Sequence, residues 1–281
     1  MRVHVFLWFF LAVATANALR ADPPEEQYRK AMSLLVAHNN NPVDVSDALY
    51  LLRLSADGGF APAQTALGTA YERGFGVAPD VHWAIDWYTK AAKQGDWVAQ
   101  FSLGRLYLQG NLLQRDFTEA RKWLEMAAAD PRDSGASFLL GTLYYDDKQS
   151  VHVDFALAAK WFRQSAERGN PYAMERLGMM LLRGDAGGIG IQFKEQGYVL
   201  LLTAAELGNH NVYQQLGSME FDIGKTGADV ARRKALDLRD RILGYTQQGC
   251  GPWEGQYSNS PSPPPLHMQM QCQQTSRVRI P

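Results

Sequence analysis

This sequence lacks three features: many cysteines, an excess of basic residues, and long apolar runs. Its 281 residues contain two cysteines, too few for a disulfide-dense scaffold or a four-cysteine zinc site. Lysine plus arginine number 28 and aspartate plus glutamate 29, so there is no basic excess to neutralise nucleic-acid phosphates. Hydrophobic residues make up 46% of the chain, which excludes a largely disordered protein. The composition predicts a folded protein that does not bind nucleic acid.

The apolar segment near the N-terminus has the features of a cleavable export signal. Arg2 is followed by an apolar run from Val5 to Ala14, and Ala16-Asn17-Ala18 is a small-x-small cleavage site. The run is too short to span a bilayer, although an uncleaved membrane anchor is the alternative interpretation. No later segment contains 18 uninterrupted apolar residues. We therefore expect cleavage after Ala18 and a mature protein, in the periplasm or secreted, that does not insert into a membrane.

The dipeptide Leu-Gly recurs at nearly constant spacing along the chain. Successive copies are 36, 37, 37 and 39 residues apart, and a small or β-branched residue stands four positions before each leucine. A second pattern follows in each unit, and its most complete form is Ala-x-x-Trp-x-x-x-Ala-Ala-x-x-Gly from Ala84 to Gly95. Five registered copies are typical of a repeat protein. The Leu-Gly copies lie at 67–68, 103–104, 140–141, 177–178 and 216–217.

Both patterns have helical periodicity, since apolar residues four apart, such as Ala63, Leu67 and Tyr71, lie on one helical face. Glycine inside a helix costs about 1 kcal/mol against alanine, so its return in every Leu-Gly predicts a close helix crossing. We expect the tryptophan of the second pattern to fill the groove between the helices. We also expect an aspartate to cap each second helix and a left-handed glycine to end it. The expected caps are Asp80, Asp116 and Asp154, and the expected terminating glycines are Gly95, Gly169 and Gly208.

These residues resemble Sel1-like repeats, a branch of the tetratricopeptide superfamily. Residues 63–95 match the family pattern almost throughout, including Gly74, Gly76 and Val77 in the loop. The resemblance implies an all-α fold, a right-handed α/α superhelical solenoid of Sel1-like helix-turn-helix repeats. The expected domains are a signal peptide over 1–18, a solenoid with a C-terminal capping helix over 19–243, and a tail over 244–281.

The tail differs from the repeats in composition. It is rich in proline, glutamine and serine and contains Pro261-Ser262-Pro263-Pro264-Pro265. Both cysteines, Cys250 and Cys272, lie in it, and one disulfide between them is the economical interpretation in an oxidising compartment. Redox chemistry by the two thiols is the alternative, although they lack the Cys-x-x-Cys spacing.

The sequence contains none of the common catalytic patterns. There is no His-Glu-x-x-His, no Gly-x-Ser-x-Gly and no phosphate-binding glycine loop after a strand. The histidines are scattered over different repeat units. We predict no enzymatic activity, no metal site and no cofactor.

The resemblance also implies a binding surface, because the first helix of a tetratricopeptide-like unit lines the concave side. Positions three before, one after and four after the repeat glycine would face this groove. Aromatic residues at several of them suit a protein-binding hot spot. The alternative is that they pack between adjacent first helices. The predicted partner-binding residues are Phe101, Arg105, Leu108, Phe138, Thr142, Tyr145, Glu175 and Met179.

The function that the resemblance implies is an exported, non-catalytic scaffold that binds a protein or peptide partner in this groove, in an envelope-associated assembly. One alternative is a periplasmic immunity protein that neutralises a secreted lipase-type toxin, since exported Sel1-like proteins stand beside such toxins. Another is a β-lactam hydrolase-like enzyme. The absence of Ser-x-x-Lys and of one disulfide per repeat weakens that alternative.

Overall fold

The chain is helical throughout the part that the structure describes. The structure is a computed structural model, and it describes residues 22–37, 42–110, 115–145, 153–187 and 191–247. These residues form eleven α-helices, one 3-10 helix at 210–212 and no strand, which confirms the expected all-α fold. The α-helices are α1 (Pro24–Ala37), α2 (Pro42–Asp57), α3 (Ala61–Arg73), α4 (Val81–Lys93), α5 (Trp97–Gln109), α6 (Phe117–Ala128), α7 (Gly135–Tyr145), α8 (Phe155–Glu167), α9 (Pro171–Arg183), α10 (Ile191–Glu206) and α11 (Tyr213–Gln247).

Two compact units divide the chain within α5. The first ends at Leu103 and the second begins at Gly104. In the first unit α1 packs against α2, α2 against α3 and α3 against α4. In the second, each helix from α6 to α10 packs against the next. The predicted signal peptide (1–18) and the two tail cysteines, Cys250 and Cys272, lie outside the described residues.

Small residues surround a few large side chains in both cores. In the first unit Trp87 is 2% exposed and packs among the alanines and leucines of α2 and α3. In the second, Phe162 and Tyr198 are each 1% exposed and pack among residues of α8 to α11. Burying a large apolar side chain contributes roughly 1.5–3 kcal/mol, so these side chains hold successive helices together.

The repeat glycines lie where two helices cross too closely for a side chain. A methyl group on Gly68 would meet the ring of Tyr88 at 2.8 Å, and one on Gly104 would meet Leu124 at 2.5 Å. The close crossing is confirmed. The residue that faces the glycine is the one after the tryptophan position, whereas Trp87 itself is buried among the alanines and leucines of α2 and α3. The residues that face the glycines are Tyr88, Leu124 and Phe162.

At the crossing of α9 and α10 the two helix backbones themselves are in contact. A methyl group on Gly178 would lie 2.9 Å from the backbone oxygen of Gly197. One on Gly197 would lie 2.8 Å from the backbone oxygen of Gly178. Because a backbone oxygen cannot rotate away as a side chain can, both positions require glycine.

Aspartates cap the second helices, as predicted. The Asp80 carboxylate accepts hydrogen bonds from the backbone N–H groups of His82 and Trp83, at 2.9 and 3.2 Å. Asp116 and Asp154 cap α6 and α8 in the same way. The predicted terminating glycines are also confirmed, since all three have positive φ angles. They are Gly95 (90°), Gly169 (86°) and Gly208 (99°).

Replacing Asp116 with alanine should lower the free energy of unfolding by about 1 kcal/mol. The backbone N–H groups of Thr118 and Glu119, each 3.0 Å from the carboxylate, lose their acceptor in this variant. Asp116→Asn keeps an acceptor oxygen and is the matched control, with little expected loss. Urea denaturation of both variants measures the difference, and equal losses would contradict the capping role.

A buried glutamine near the start of a first helix satisfies a carbonyl at the end of the preceding second helix. Gln64 Nε2 donates to the Ala56 carbonyl at 3.0 Å, and Gln100 Nε2 donates to the Ala92 carbonyl at 3.1 Å. Both acceptors occupy the same repeat position and lie eight residues before their donor. The last carbonyls of a helix have no partner within it, so the next repeat supplies one.

The repeat that contains α7 and α8 meets the same need differently. Here Ser137 stands in the glutamine position. Arg168, which is 4% exposed, donates from Nη2 to the Ala128 carbonyl at 2.9 Å. From Nη1 it donates to Ser137 Oγ at 3.2 Å and to the Asp133 carbonyl. Gln164 Nε2 also donates to the Ala128 carbonyl, at 2.9 Å. Two longer side chains at the end of α8 thus replace the missing glutamine.

The C-terminal third of α11 contacts the end of α10 through Arg239. Arg239 donates hydrogen bonds to Asp240 and, at 2.9 Å, to Glu206, the last residue of α10. The bonds to Asp240 and then to Glu206 raise the pKa of the Arg239 guanidinium above its ordinary value. The segment expected to form a capping helix lies within α11, which runs to Gln247. Among the described residues, no helix combines the length and apolarity that crossing a membrane requires.

Candidate functional site

The predicted partner-binding residues lie on three first helices, and those on α5 do not form a single surface. Phe101 belongs to the first unit and is half-buried. Leu108 is 7% exposed and packs with Ala120 and Leu143, so it contributes to a core. Arg105 Nη1 donates to Gln109 Oε1 on the same helix at 3.0 Å. The α5 positions therefore offer a partner little apolar area.

The two aromatic residues predicted on α7 belong to a line of five rings. Phe138 and Tyr145 lie on either side of Phe162, with ring centroids 5.8 and 6.3 Å from it. Beyond Phe138 lies Tyr172, at 6.4 Å, and beyond Tyr145 lies Phe155, at 5.5 Å. We call these five residues the aromatic strip. It contains rings from α7, α8 and α9, and the ring of α9 contacts α7 directly.

Exposure differs along the aromatic strip. Tyr172 is 51% exposed and Phe155 42% exposed, whereas Phe162 is buried beneath the centre at 1%. Phe138 and Tyr145 are half-buried and pack against the core of the second unit. The central rings are thus fixed by packing, while the rings at the two ends present open apolar surface.

Polar groups fix the surroundings of the strip. Arg183 Nη1 donates to Tyr145 Oη at 3.1 Å. Thr142 Oγ1 donates to the backbone carbonyl of Phe138 at 3.1 Å, within α7. Glu175 accepts a hydrogen bond from Asn209 Nδ2 at 2.7 Å, and Met179 is half-buried against the core. The predicted residues on α7 and α9 therefore pack in the same unit, around an aromatic surface with one guanidinium beside it.

Sequence reasoning missed the two most exposed rings. Phe155 directly follows the N-cap Asp154, and Tyr172 is the second residue of α9. Both lie in the first turn of a helix, outside the register counted from the repeat glycine. For Tyr172 the usable signal was an aromatic residue where two other repeats carry the smaller Val98 and Gly135. Phe155 gave no such signal, because Phe117 stands at the same position in the preceding repeat.

The arrangement suits binding rather than chemistry. Aromatic rings offer large, rigid apolar area, and an arginine beside them can donate to a carbonyl or carboxylate. In the part of the chain that the structure covers, no three His, Cys, Asp or Glu residues lie close enough to hold a metal ion.

A protein-family comparison identifies the repeats. The Sel1 repeat family matches five consecutive segments that together cover more than half of the chain. The chain is a Sel1-repeat protein. The matched segments are 42–60, 61–96, 97–130, 134–170 and 171–209.

Among curated proteins, this Sel1-repeat protein is similar to chitin synthase regulator SKT5 of Saccharomyces cerevisiae. The two are 29% identical over 195 residues, which is 67% of this chain and 26% of the yeast protein. The chain thus spans about a quarter of the length of that relative. The similarity leaves most of the yeast protein without a counterpart here.

Two solved structures share the fold. A Sel1 repeat protein from Oxalobacter formigenes has a TM-score of 0.61 and 26% identity, over 76% of this chain and 87% of that one. The second is c5321, a protective antigen present in uropathogenic Escherichia coli strains. It has a TM-score of 0.67 and 26% identity, over 86% of this chain and 52% of that one. Both support the Sel1-type arrangement of helix pairs.

Proposed function

We propose that this protein is an exported, non-catalytic scaffold that binds a protein partner on the aromatic strip of α7, α8 and α9, in an envelope-associated assembly. The observation that carries the proposal is the aromatic strip, whose end rings Tyr172 and Phe155 are about half exposed, with Arg183 bonded to its inner ring Tyr145. Aromatic residues and arginine are the residue types enriched where binding energy concentrates. The name of the yeast relative, a regulator rather than an enzyme, supports a binding role.

The exposed rings are large enough to matter for affinity. An aromatic side chain buries roughly 150–250 Å², and about half of that remains open on Tyr172 and Phe155. At about 25 cal/mol per Å², covering each ring contributes roughly 2–3 kcal/mol before ordering costs. Removing the rings of Tyr172 and Phe155 should therefore weaken binding substantially. It should leave the packing of the core intact, because Phe162 and the inner rings remain.

The double variant Phe155→Ala with Tyr172→Ala should reduce partner capture at least tenfold while changing the melting temperature little. The measurement is photocrosslinking in cells that produce the full chain, with a benzoylphenylalanine probe at position 179 on α9, followed by mass spectrometry of the adduct. A probe at this position leaves both exposed rings available for substitution. The same preparation tests export, since the mature chain is expected to begin at Leu19.

Met126→Ala is the matched control for this experiment. Met126 is 43% exposed on α6, a helix that carries no ring of the aromatic strip, so its removal should leave capture unchanged. Equal capture by the double variant and the wild type would contradict the proposed surface. If the captured partner is a lipase-type toxin, the immunity role replaces assembly as the function.

A further inference from the structure

We propose that the partner presents an acidic peptide segment to the aromatic strip, and that Arg176 and Arg183 of α9 bind two of its carboxylates. The inference rests on the proposed function, because it assigns the chemistry of the partner at the same surface. The rings define an apolar surface, and the two arginines add a requirement for negative charge.

Four residues of α9 form a line along its surface, which we call the α9 line. Successive members are four, three and four residues apart, a spacing that keeps side chains on one face of a helix. Both ends of the line reach α7. The ring of Tyr172 lies 6.4 Å from that of Phe138, and Arg183 Nη1 donates to Tyr145 Oη at 3.1 Å. The α9 line therefore borders the aromatic strip, and its members are Tyr172, Arg176, Met179 and Arg183.

The two arginines of the α9 line have donors to spare. Both side chains are exposed. Arg183 donates to Tyr145, and within the described residues neither arginine forms an ion pair. Because a guanidinium has five N–H donors and binds a carboxylate through two of them, each arginine can accept an anionic group from outside the chain.

The repeat itself does not require arginine at position 176. The equivalent residues, two before the repeat glycine, are Ala66 in α3, Ser102 in α5 and Leu139 in α7. Ala66 and Ser102 are buried, whereas Arg176 is exposed. Packing between repeats therefore does not account for this cation.

The carboxylates closest in sequence to the strip are engaged elsewhere. The eleven residues of α7 include no charged side chain. Glu175, the one acidic residue of α9, accepts from Asn209 Nδ2 at 2.7 Å and is thus turned toward the end of α10. Asp154, next to Phe155, accepts from the backbone N–H of Leu157 as the cap of α8. The charge left available beside the strip is that of the two arginines.

The spacing of the arginines indicates the form of the ligand. Arg176 and Arg183 are seven residues apart, which is about 10 Å along a helix. In an extended segment of polyproline II geometry, residues three apart lie on one side and about 9 Å from each other. Apolar side chains near them would cover the exposed rings and exclude water, which strengthens the ion pairs. We therefore expect two acidic residues about three positions apart, accompanied by an apolar residue.

The first test selects peptides from a random library displayed on phage, with the purified full-length protein immobilised. We expect enriched sequences to carry this acidic and apolar pattern. The variant Arg176→Glu with Arg183→Glu should select lysine or arginine at the acidic positions. Arg121→Glu with Arg233→Glu is the matched control. It makes the same change in net charge at exposed positions of α6 and α11, helices without a ring of the strip, and should select like the wild type.

The second test measures the affinity of one selected acidic peptide by fluorescence anisotropy. The variant Arg176→Glu with Arg183→Glu should bind it at least tenfold more weakly, with an unchanged melting temperature because both side chains are exposed. Raising NaCl from about 0.05 to about 0.5 M should weaken binding to the wild type severalfold, since salt screens exposed charges. A copy of the peptide with asparagine and glutamine in place of its acidic residues should bind weakly at both salt concentrations.

The outcomes separate this inference from the proposed function. Enrichment of apolar peptides without acidic residues, or of the same acidic peptides by the Arg176→Glu with Arg183→Glu variant, would overturn the inference and leave the proposed function standing. A library that yields no binder would also overturn it, and the capture experiment at position 179 would then decide the proposed function by itself.

Two further results would overturn the inference. Binding of phosphatidylglycerol vesicles through the two arginines, in place of acidic peptides, would assign these cations to a lipid headgroup. Equal affinity of the acidic peptide for the wild type and for Phe155→Ala with Tyr172→Ala would overturn the proposed surface as well, because the peptide then does not use the strip.

Discussion

Replacing Arg168 with alanine should lower the free energy of unfolding by about 3 kcal/mol, measured by urea denaturation of the full chain. The guanidinium is buried and donates to the carbonyls of Asp133 and Ala128 and to the Ser137 hydroxyl. A hydrogen bond from a charged donor contributes roughly 1.5–3 kcal/mol, and a buried carbonyl without a donor costs about 1–3 kcal/mol. Gln164 still serves the Ala128 carbonyl, which limits the loss.

A second substitution should restore part of this stability. Ser137→Gln introduces the glutamine that other repeats have at this position. There Gln64 and Gln100 donate to the equivalent carbonyl. In the Arg168→Ala background, the space left by the arginine admits the longer side chain. We expect the double variant to recover at least about 1 kcal/mol, close to one net hydrogen bond.

The control for Arg168 is an arginine of the surface. Arg232 pairs with Asp229 at 3.0 Å on α11, with about half of its side chain exposed. Exposed ion pairs contribute about 0–1 kcal/mol, so Arg232→Ala should change stability little. Two results would contradict the role given to Arg168. One is a loss of stability in Arg168→Ala no larger than that in Arg232→Ala, and the other is a failure of Ser137→Gln to recover stability in the Arg168→Ala background.

Replacing Gly178 with alanine should lower the free energy of unfolding by about 2 kcal/mol, although alanine is the better helix former. The added methyl group would lie 2.9 Å from the backbone oxygen of Gly197, so α9 and α10 must move apart. Overpacking of this kind typically costs about 1–3 kcal/mol, and the upper end applies because the opposing atom belongs to a backbone. The gain in helix propensity offsets about 1 kcal/mol of that cost, which leaves a net loss of about 2 kcal/mol.

Gly244 provides the matched comparison. It lies in α11, and a methyl group there would have no neighbour within 4 Å. Gly244→Ala should therefore raise the free energy of unfolding by up to about 1 kcal/mol through helix propensity alone. Thermal and urea denaturation of the two variants should give effects of opposite sign. Effects of the same sign would show that propensity, and not the helix crossing, controls Gly178.

The register of the repeats was readable from the sequence because it rests on local chemistry. Leu-Gly spacing, the caps such as Asp80 and the terminating glycines such as Gly95 each follow from hydrogen bonding or dihedral angles within one helix end. The partner of each repeat glycine was not readable. Tyr88 and Trp87 are adjacent, and which of them faces Gly68 depends on how α4 is rotated against α3.

The candidate site was predictable only in part, for the same reason. Counting from the repeat glycine led to Phe138 and Tyr145, which the structure brings together through Phe162. Their exposed neighbours Phe155 and Tyr172 come from the first turns of other helices. They join the strip only once α7, α8 and α9 are packed, and packing between helices is not encoded in spacing along one of them.

The glutamine and arginine bonds to the alanine carbonyls have a consequence for how such chains grow. Gln64 and Gln100, like Arg168, each donate to a carbonyl of the preceding repeat, so each of these three repeats carries its own donor. A duplicated gene segment that encodes one of these repeats therefore also encodes the donor for the repeat before it. Insertion or loss of one of these three repeats should leave the junction on its N-terminal side with a donor and an acceptor.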